Sequence, residues 1–381
     1  MDTVANRREM LSSARRLVVK IGSNVLTSKG GTLDRRRVRH LADQISELCD
    51  AGREVIVVSS GAIAAGMGEL GLPKRPTTLP ELQAAAAVGQ SRLIRTYNES
   101  FRRHGRCVGQ VLLTREDMEH RARFLNTRNT LHALVAMGCV PVINENDSVS
   151  VDEIRYGDND FLAAHLAALI LADLLVILST VDGLLEEDAA GRPHVLPLVE
   201  RVSDEIVRLD TGEKSARGTG GMGSKLRAAA MTTRAGVPVV VAGGRRRGIL
   251  RRIVAGENVG TLFLPAARRM ASRKRWIAFT ARPSGELVVD AGARRALVEG
   301  GKSLLASGVR AVRGTFGKGA VVALAVGHEP PFARGLTNYS SAELALIQGY
   351  HTRDIQPRLG YKDYDEVVHR DNLVILGGGA G

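Results

Sequence analysis

Two lysines in glycine-containing turns are the side chains of this chain that best suit chemistry on phosphate. Lys20 lies in the segment VVKIGSN at residues 18–24, and Lys225 ends the segment TGGMGSK at residues 219–225. Only nine of the 53 basic residues are Lys, so the retention of Lys at these two places is informative. A compact ammonium can serve a single transferring phosphoryl oxygen, whereas a planar guanidinium suits two-point clamping. Two ammonium groups beside phosphate-binding backbone therefore indicate a phosphotransferase.

Two small-residue turns follow the first two predicted strands. Gly22 would let backbone N–H groups approach a phosphate, with Lys20 among its oxygens. Ser60 and Gly61, in the segment VSSGAIAAG at residues 58–66, offer a hydroxyl and a helix N-terminus to an anion. A strand-end Lys is usually solvated, however, and the Ser-Ser-Gly turn fits an ordinary helix cap equally well. Each turn alone is weak evidence for a ligand site.

Two clusters of carboxylate and carboxamide side chains form the most specific pattern. They are NEND at residues 144–147 and YGDND at residues 156–160, just before an apolar helical segment. Asp158 alone would fit the N-cap of that helix. One cap does not require seven Asn, Asp and Glu residues, and such side chains suit a polar zwitterion and a divalent ion. We therefore predict a binding site for such ligands at these clusters.

A glycine-rich turn precedes the second lysine. The segment GTGGMGSK at residues 218–225 resembles a P-loop but lacks the Gly-x-x-x-x-Gly-Lys-Ser/Thr spacing, so that assignment is rejected. A glycine-rich turn entering a helix still suits nucleotide phosphates. Lys225 in the first turn of a helix is unfavourable by the helix dipole, and a bound anion would remove that conflict.

Alternating strands and helices connect these segments. The predicted strands are 17–21, 54–59, 108–113, 140–143, 174–178 and 237–242, and the predicted helices are 34–50, 80–104, 119–137, 158–172 and 222–235. Several strands are apolar at nearly every position, as expected of strands covered on both faces. The alternation predicts an α/β fold, a three-layer αβα sandwich with a mostly parallel open sheet. Ligands bind such sheets beyond the carboxyl ends of the strands, where these turns would meet.

The pattern changes after about residue 266. Beyond it glycines are frequent, and short strands are predicted at 287–289, 308–312 and 320–325. This indicates a small, β-rich second domain. We therefore divide the chain into a first domain at 12–266, a basic linker at 267–275, a second domain at 276–372 and a C-terminal tail at 373–381.

Composition places the chain among ordinary globular proteins. Its 381 residues allow two domains. No apolar run could span a bilayer, and residues 1–16 lack the apolar core of a signal peptide, so we expect a cytoplasmic protein without membrane association. The three cysteines, Cys49, Cys107 and Cys139, lie far apart, and we expect unpaired, buried thiols in a reducing compartment.

The net charge of +13 raises the alternative of nucleic-acid binding. Residues 245–275 contain ten basic residues against Glu257 alone, whereas residues 276–381 contain twelve basic and ten acidic residues. The excess charge therefore lies where the first domain ends, and aromatic residues for base stacking are not interleaved there. We interpret it as a solvated, Arg-rich surface and do not expect RNA binding.

Taken in chain order, these segments resemble those of the glutamate 5-kinases of the amino-acid-kinase family, from about residue 17 to the last residues. The segments DAGA at 290–293, GKSLL at 301–305, RGLTNYS at 334–340 and HRDNL at 369–373 are similar to the PUA domain that bacterial glutamate 5-kinases carry. Related carbamate, uridylate and acetylglutamate kinases lack that domain, so the pairing is more specific than any single motif.

The resemblance implies ATP- and Mg²⁺-dependent phosphorylation of the γ-carboxylate of L-glutamate, the first step of proline biosynthesis. It implies that Lys20, Lys225 and Asp160 are catalytic, with Asp160 orienting the two lysines. The implied ATP-binding residues are Lys20, Gly22, Ser179, Thr180, Thr219, Gly220, Gly221, Met222, Gly223, Ser224 and Lys225. The implied glutamate-binding residues are Ser60, Gly61, Asp147 and Asn159. No protein ligand is assigned to the metal.

One position departs from the family pattern. After the strand at 174–178 the family commonly has a hydroxyl residue followed by Asp, whereas here Ser179 precedes Thr180 and Asp182 comes two residues later. The nucleotide contact at this point is left open. The resemblance also implies a homo-oligomer, inhibition by proline and transfer of the product to glutamyl-phosphate reductase. The alternatives are another carboxylate or phosphate kinase of the same fold, and a PUA-mediated RNA-binding protein.

Overall fold

The computed structural model describes residues 3–28, 30–119, 121–149, 159–188, 191–202, 221–265, 274, 277 and 282–376. The chain divides into two compact units, Met1–Arg269 and Met270–Gly381. The strands of the first unit are β1 (Arg16–Ile21), β2 (Glu54–Ser59), β3 (Val108–Leu113), β4 (Val140–Glu145), β5 (Leu174–Ser179), β6 (Leu185–Glu187), β7 (Pro193–Val195), β8 (Leu198–Val199), β9 (Val239–Gly243) and β10 (Thr261–Phe263). Its helices are α1 (Thr3–Ser12), α2 (Ser23–Leu26), α3 (Arg35–Asp50), α4 (Ala62–Glu69), α5 (Leu79–Arg102), α6 (Arg115–Glu119), α7 (Arg121–Ala136), α8 (Asn159–Leu169), α9 (Met222–Arg234) and α10 (Ile249–Val254).

One sheet organises the first unit. Its eight strands lie in the order β3-β4-β2-β1-β5-β9-β10-β8. Every pairing is parallel except that of β9 with β10. The predicted mostly parallel sheet is therefore confirmed. The sequence did not predict β8 and β10, because two or three residues are too few to show a periodic pattern.

The alternation of side chains along the central strand separates the two helical layers. Val19 and Ile21 point into a buried cluster that includes Leu41 of α3. Lys20, between them, points to the opposite face, where Asp160 of α8 contacts it. A strand covered on both faces places successive side chains in different layers, and this puts one buried lysine beneath α8.

The second unit has its own sheet and core. Its strands are β11 (Gly285–Val289), β12 (Leu304–Leu305), β13 (Val309–Arg313), β14 (Val321–Val326), β15 (Ala333–Leu336), β16 (Glu366–Val368) and β17 (Leu373–Ile375), and its helices are α11 (Ala291–Val298), α12 (Ser341–Ile347) and α13 (Ile355–Leu359). Five strands form a sheet in the order β13-β11-β14-β15-β17, and β12 pairs with β16. The predicted β-rich fold of this domain is confirmed.

The end of the second unit differs from the sequence expectation. Residues from Leu373 onward were expected to form a tail, but Leu373–Ile375 pair with Ala333–Leu336 at the edge of the sheet. A three-residue strand whose partner lies far away in the chain leaves no local signal. Residues 377–381 of the expected tail, and all of the expected linker except Lys274, lie outside the described residues.

The expectation of unpaired cysteines is wrong for two of the three. Cys107 and Cys139 form a disulfide with Cα atoms 4.8 Å apart, while Cys49 is free. The bonded residues immediately precede β3 and β4, which are parallel neighbours, and the amide of Val140 donates to the carbonyl of Cys107 at 2.9 Å. Strand pairing, not sequence spacing, brings the two sulfurs together.

None of the helices in the described ranges combines the length and the apolar character needed to cross a bilayer.

Candidate active site

Two lysines and one aspartate from three separate elements meet beneath the surface. Lys20 Nζ of β1 lies 2.5 Å from Asp160 Oδ1 of α8, and Lys225 Nζ of α9 lies 3.3 Å from Asp160 Oδ2. All three side chains are buried. Ser224 Oγ donates to Asp160 Oδ2 at 2.9 Å. The structure thus brings Lys20 and Lys225, which are 205 positions apart in the sequence, to the two oxygens of one carboxylate.

Asp160 is ionised in spite of its burial. Burial alone would raise the pKa of its carboxyl, but the charges of Lys20 and Lys225, with hydrogen bonds from Lys20 and Ser224, outweigh that effect and lower the pKa to about 2. A buried charge is tolerated when it is paired in this way. The two ammonium groups and the carboxylate together carry one net positive charge, which a phosphate group could balance.

Backbone geometry explains why glycine stands beside Lys20. A Cβ added to Gly22 would lie 3.3 Å from the carbonyl oxygen of Leu178 and 3.7 Å from Lys20 Nζ. The amide of Gly22 donates to that same carbonyl at 3.1 Å. A Cβ here would lie too close to the Leu178 carbonyl oxygen and would reach van der Waals contact with the ammonium group, so glycine leaves this side of Lys20 Nζ uncovered.

A hydrogen-bonded row of polar side chains borders this centre. Asn159 Nδ2 donates to Ser60 Oγ at 2.8 Å and to Asn144 Oδ1 at 3.1 Å, and Asn144 Nδ2 donates to Gln90 Oε1 at 2.9 Å. Asn159 Oδ1 is buried and has no hydrogen-bond partner within the described part of the chain. Asn159 immediately precedes Asp160 in α8, and its side-chain oxygen is an unsatisfied acceptor among the described residues. A ligand with an N–H donor would satisfy it.

Three glycines shape the chain behind this row, one at the turn into α4 and two where α4 and α5 meet. Gly61 has φ +110°, a left-handed conformation that favours glycine, and it turns the chain from β2 into α4 directly after Ser60. On the facing helices, a Cβ at Gly66 would lie 1.8 Å from the carbonyl oxygen of Ala85, and a Cβ at Gly89 would lie 1.8 Å from that of Ala62. The two backbones are therefore in contact, and the contact at Gly89 fixes the backbone position of the adjacent Gln90.

Asp147 lies in the turn that follows β4. It is half-buried, and the amide of the preceding Asn146 donates to the carbonyl of Leu113 at the end of β3 at 2.9 Å. Arg75, in the α4–α5 connection, interacts electrostatically with it: burial lowers the pKa of Arg75, and the negative charge of Asp147 opposes that shift. The glutamate-binding residues implied by the resemblance thus lie at the ends of β2 and β4 and the start of α8.

The described members of the implied nucleotide-binding set lie at the ends of β1 and β5 and at the start of α9. Gly221 is the N-cap of α9, Met222 and Gly223 begin the helix, and Thr219 and Gly220 lie outside the described residues. Ser179 ends β5 and is buried, and Thr180 is exposed.

The aspartate that follows this turn is already engaged. Asp182 accepts two hydrogen bonds from Arg246, at 2.8 and 2.5 Å. Arg246 therefore lowers the pKa of Asp182. Because its carboxylate is paired with Arg246, Asp182 does not simply replace the Asp that the family commonly has at the position of Thr180.

Two residues of the site carry no assigned role from the sequence. Asn144 belongs to the predicted polar cluster, but its side-chain contacts depend on α5. Gln90 lies inside a long helix without a motif, and no local signal could have identified it.

Within the part of the chain that the structure describes, no group of three or more His, Cys, Asp or Glu side chains is arranged to hold a metal ion.

Comparisons with known proteins agree with these two units. A model of the amino acid kinase family matches residues 15–243, and a PUA domain model matches residues 285–359. Glutamate 5-kinase of Pelobacter propionicus is 48% identical over 372 residues, which cover 97% of this chain and 100% of that protein. Glutamate 5-kinase of Citrifermentans bemidjiense is 49% identical over 372 residues, with the same coverage of both chains. Glutamate 5-kinase of Myxococcus xanthus is 49% identical over 379 residues, which cover 99% of this chain and 100% of that protein.

Proposed function

The chain belongs to the glutamate 5-kinases of the amino acid kinase family, and we propose that it transfers the γ-phosphoryl group of ATP to the γ-carboxylate of L-glutamate. The product is L-glutamyl 5-phosphate, and the reaction is the first step of proline biosynthesis. The observation that carries the proposal is the meeting of Lys20 and Lys225 at the buried carboxylate of Asp160.

The chemistry requires charge neutralisation and alignment more than proton transfer. The side-chain carboxylate of glutamate is ionised at neutral pH, so it can attack phosphorus without a general base. Lys20 and Lys225 then stabilise the negative charge on the transferring group, in a site that excludes most water. Asp160 holds the two ammonium groups at fixed positions in spite of their mutual repulsion. In-line placement of the carboxylate supplies the rest of the rate enhancement.

The polar row beside the lysines suits the amino-acid end of glutamate. Asn159 Oδ1 is a buried acceptor without a protein partner among the described residues, and Asp147 supplies a negative charge. Together they fit the α-ammonium group of glutamate. Ser60 is hydrogen-bonded to Asn159, and with the adjacent Gly61 it would line the same pocket.

ATP would lie across the ends of β1 and β5 and the start of α9. Gly22, Ser179 and Thr180 would face it from the strand ends, and residues 219–225 would contact its phosphates from the start of the helix. Mg²⁺ would arrive with ATP. Because both oxygens of Asp160 contact ammonium groups, we infer that phosphate oxygens and water hold the ion.

Several finer features of the family are proposals for this chain. We propose that it forms a homo-oligomer, is inhibited by proline and passes its product, a readily hydrolysed acyl phosphate, to glutamyl-phosphate reductase. We also propose a cytoplasmic location. In a reducing compartment the Cys107–Cys139 pair would exist as two thiols, held together by the pairing of β3 with β4.

A hydroxamate assay tests the proposed activity directly. Acyl phosphate should form only when glutamate, ATP and Mg²⁺ are all present, and added proline should reduce its formation. Aspartate, acetylglutamate and UMP should support far less ADP release than glutamate does. A preference for one of these acceptors would favour another kinase of the same fold. Salt-sensitive RNA binding without any ATP turnover would favour the RNA-binding alternative.

A further inference from the structure

Gln90 connects helix α5 to the proposed glutamate site. Its side chain is half-buried, and Gln90 Oε1 accepts a hydrogen bond from Asn144 Nδ2 at 2.9 Å. Asn144 follows Ile143 near the end of β4 and in turn contacts Asn159. Among the described residues the side chain of Gln90 is hydrogen-bonded to Asn144 alone, so any role that it has in the site must act through Asn144 and Asn159.

The donors and acceptors of the three amides fix the direction of the hydrogen bonds along the row from Gln90 through Asn144 to Asn159. A side-chain amide offers two N–H donors on nitrogen and an acceptor on oxygen. Because Asn144 directs its nitrogen at Gln90, its oxygen is left to face Asn159. Asn159 must then direct its nitrogen at that oxygen, and its second N–H donates to Ser60 Oγ. Its own oxygen is therefore the atom left without a protein partner.

We propose that Gln90 is a positioning residue that fixes the orientation of the Asn159 amide, so that an oxygen and not an NH₂ group faces the substrate ammonium. This inference depends on the proposed function, since it assumes that an amino acid binds at Asn159. Without the acceptor at Gln90, the Asn144 amide can rotate, and the Asn159 amide can rotate with it. An NH₂ group would then face the ammonium, and a favourable contact would become an unfavourable one.

The helix that carries Gln90 is well suited to this task. The neighbouring Gly89 brings the backbone of α5 against that of α4, where a Cβ would lie 1.8 Å from the Ala62 carbonyl oxygen. Gln90 also borders a cleft of about 700 Å³ that is lined mainly by residues of α5 and β3. The backbone position is thus rigid, while the cleft leaves room for a substituted side chain. A change at Gln90 should therefore alter hydrogen bonding more than packing.

Two variants of similar shape separate the hydrogen bond from the packing. Q90M keeps the length of the side chain but removes the acceptor, whereas Q90E keeps only acceptors. We expect Q90M to raise the KM for glutamate about 5- to 10-fold, the loss expected from one well-placed hydrogen bond. The kcat and the KM for ATP should stay within about twofold of wild type, because the lysine centre is unchanged. Q90E should retain a glutamate KM close to that of wild type.

Further variants distinguish positioning from a general disturbance. In an N144A background, the Q90M substitution should add little to the glutamate KM, since its effect passes through Asn144. N98M changes the same helix and cleft and should leave the glutamate KM unchanged. Thermal unfolding of each variant checks that the fold is kept.

Four outcomes would overturn the inference. The first is a Q90M enzyme with a wild-type glutamate KM, and the second is additive effects of Q90M and N144A. The third is a fall in kcat that equals the change in KM. The fourth is a Q90E enzyme as impaired as Q90M, which would mean that the amide row has the reverse polarity. A wild-type protein that does not phosphorylate glutamate would instead refute the proposed function.

Discussion

Replacement of Asp160 by Asn removes the charge between the two lysines at almost constant side-chain volume. The pKa of Asp160 is lowered from its usual 3.8 to about 2, and one pKa unit corresponds to about 1.4 kcal/mol, so the ionised group contributes about 2 kcal/mol to stability at neutral pH. The two ammonium groups repel each other in both proteins, so their repulsion does not change the difference in stability between the wild type and D160N. We expect D160N to lower the free energy of unfolding by about 2 kcal/mol at pH 7.

The catalytic rate of D160N should also fall, even where the variant remains folded. Without its counter-ion, each lysine moves away from the other, and a misplacement of about 1 Å at a reacting centre can reduce the rate about 100-fold. We therefore expect kcat in the hydroxamate assay to fall about 100-fold or more. The assay is run at a temperature at which a urea titration shows that D160N is folded in the absence of urea. The KM for glutamate should change less, because Asn159 and its hydrogen bonds remain.

The pH dependence of stability offers a second readout of the same group. Since the folded-state pKa of Asp160 lies below its unfolded value, its contribution is fully present above about pH 4 and is lost as the pH falls toward 2. Between these limits the unfolding free energy of the wild type should decline more steeply than that of D160N. Equal stabilities of the two proteins at pH 7, together with a kcat within threefold of wild type, would refute the counter-ion role.

Four further perturbations test other parts of the structure. K225M should reduce kcat by about 100- to 1,000-fold, because transition-state charge loses a partner in a water-poor site; near-normal turnover would show that this lysine is not catalytic. D147N should raise mainly the KM for glutamate, by weakening contact with the substrate ammonium, and a change confined to the KM for ATP would place the pocket elsewhere. G89A should destabilise the fold by about 1–3 kcal/mol in urea unfolding, since the new methyl group overlaps a backbone oxygen of α4; an unchanged midpoint would mean that the helices are further apart. C139S should unfold about 3–4 kcal/mol more easily than the oxidised wild type, as expected for a cross-link over 32 positions, and dithiothreitol should remove that difference.

Much of the fold could be predicted because it depends on local patterns. The parallel strands read as continuous apolar runs, and the helices between them are long enough to show their periodicity. Strand β17 and the short strands β8 and β10 could not be predicted, because their existence depends on distant partners. The Cys107–Cys139 bond could not be predicted for the same reason, because only the adjacency of β3 and β4 brings the two sulfurs together.

The sequence by itself determined the kind of chemistry. Lysines next to glycine turns, and clusters of Asn and Asp before an apolar helix, are chemical types that suit phosphate and a zwitterion wherever they lie. The tertiary structure alone decided that Lys20 and Lys225 share one carboxylate, that Asn159 Oδ1 is left without a protein partner among the described residues, and that Gln90 accepts a hydrogen bond from Asn144. The physical reason is that residue type and spacing fix what a side chain can do, whereas burial and hydrogen-bond direction depend on which elements pack together.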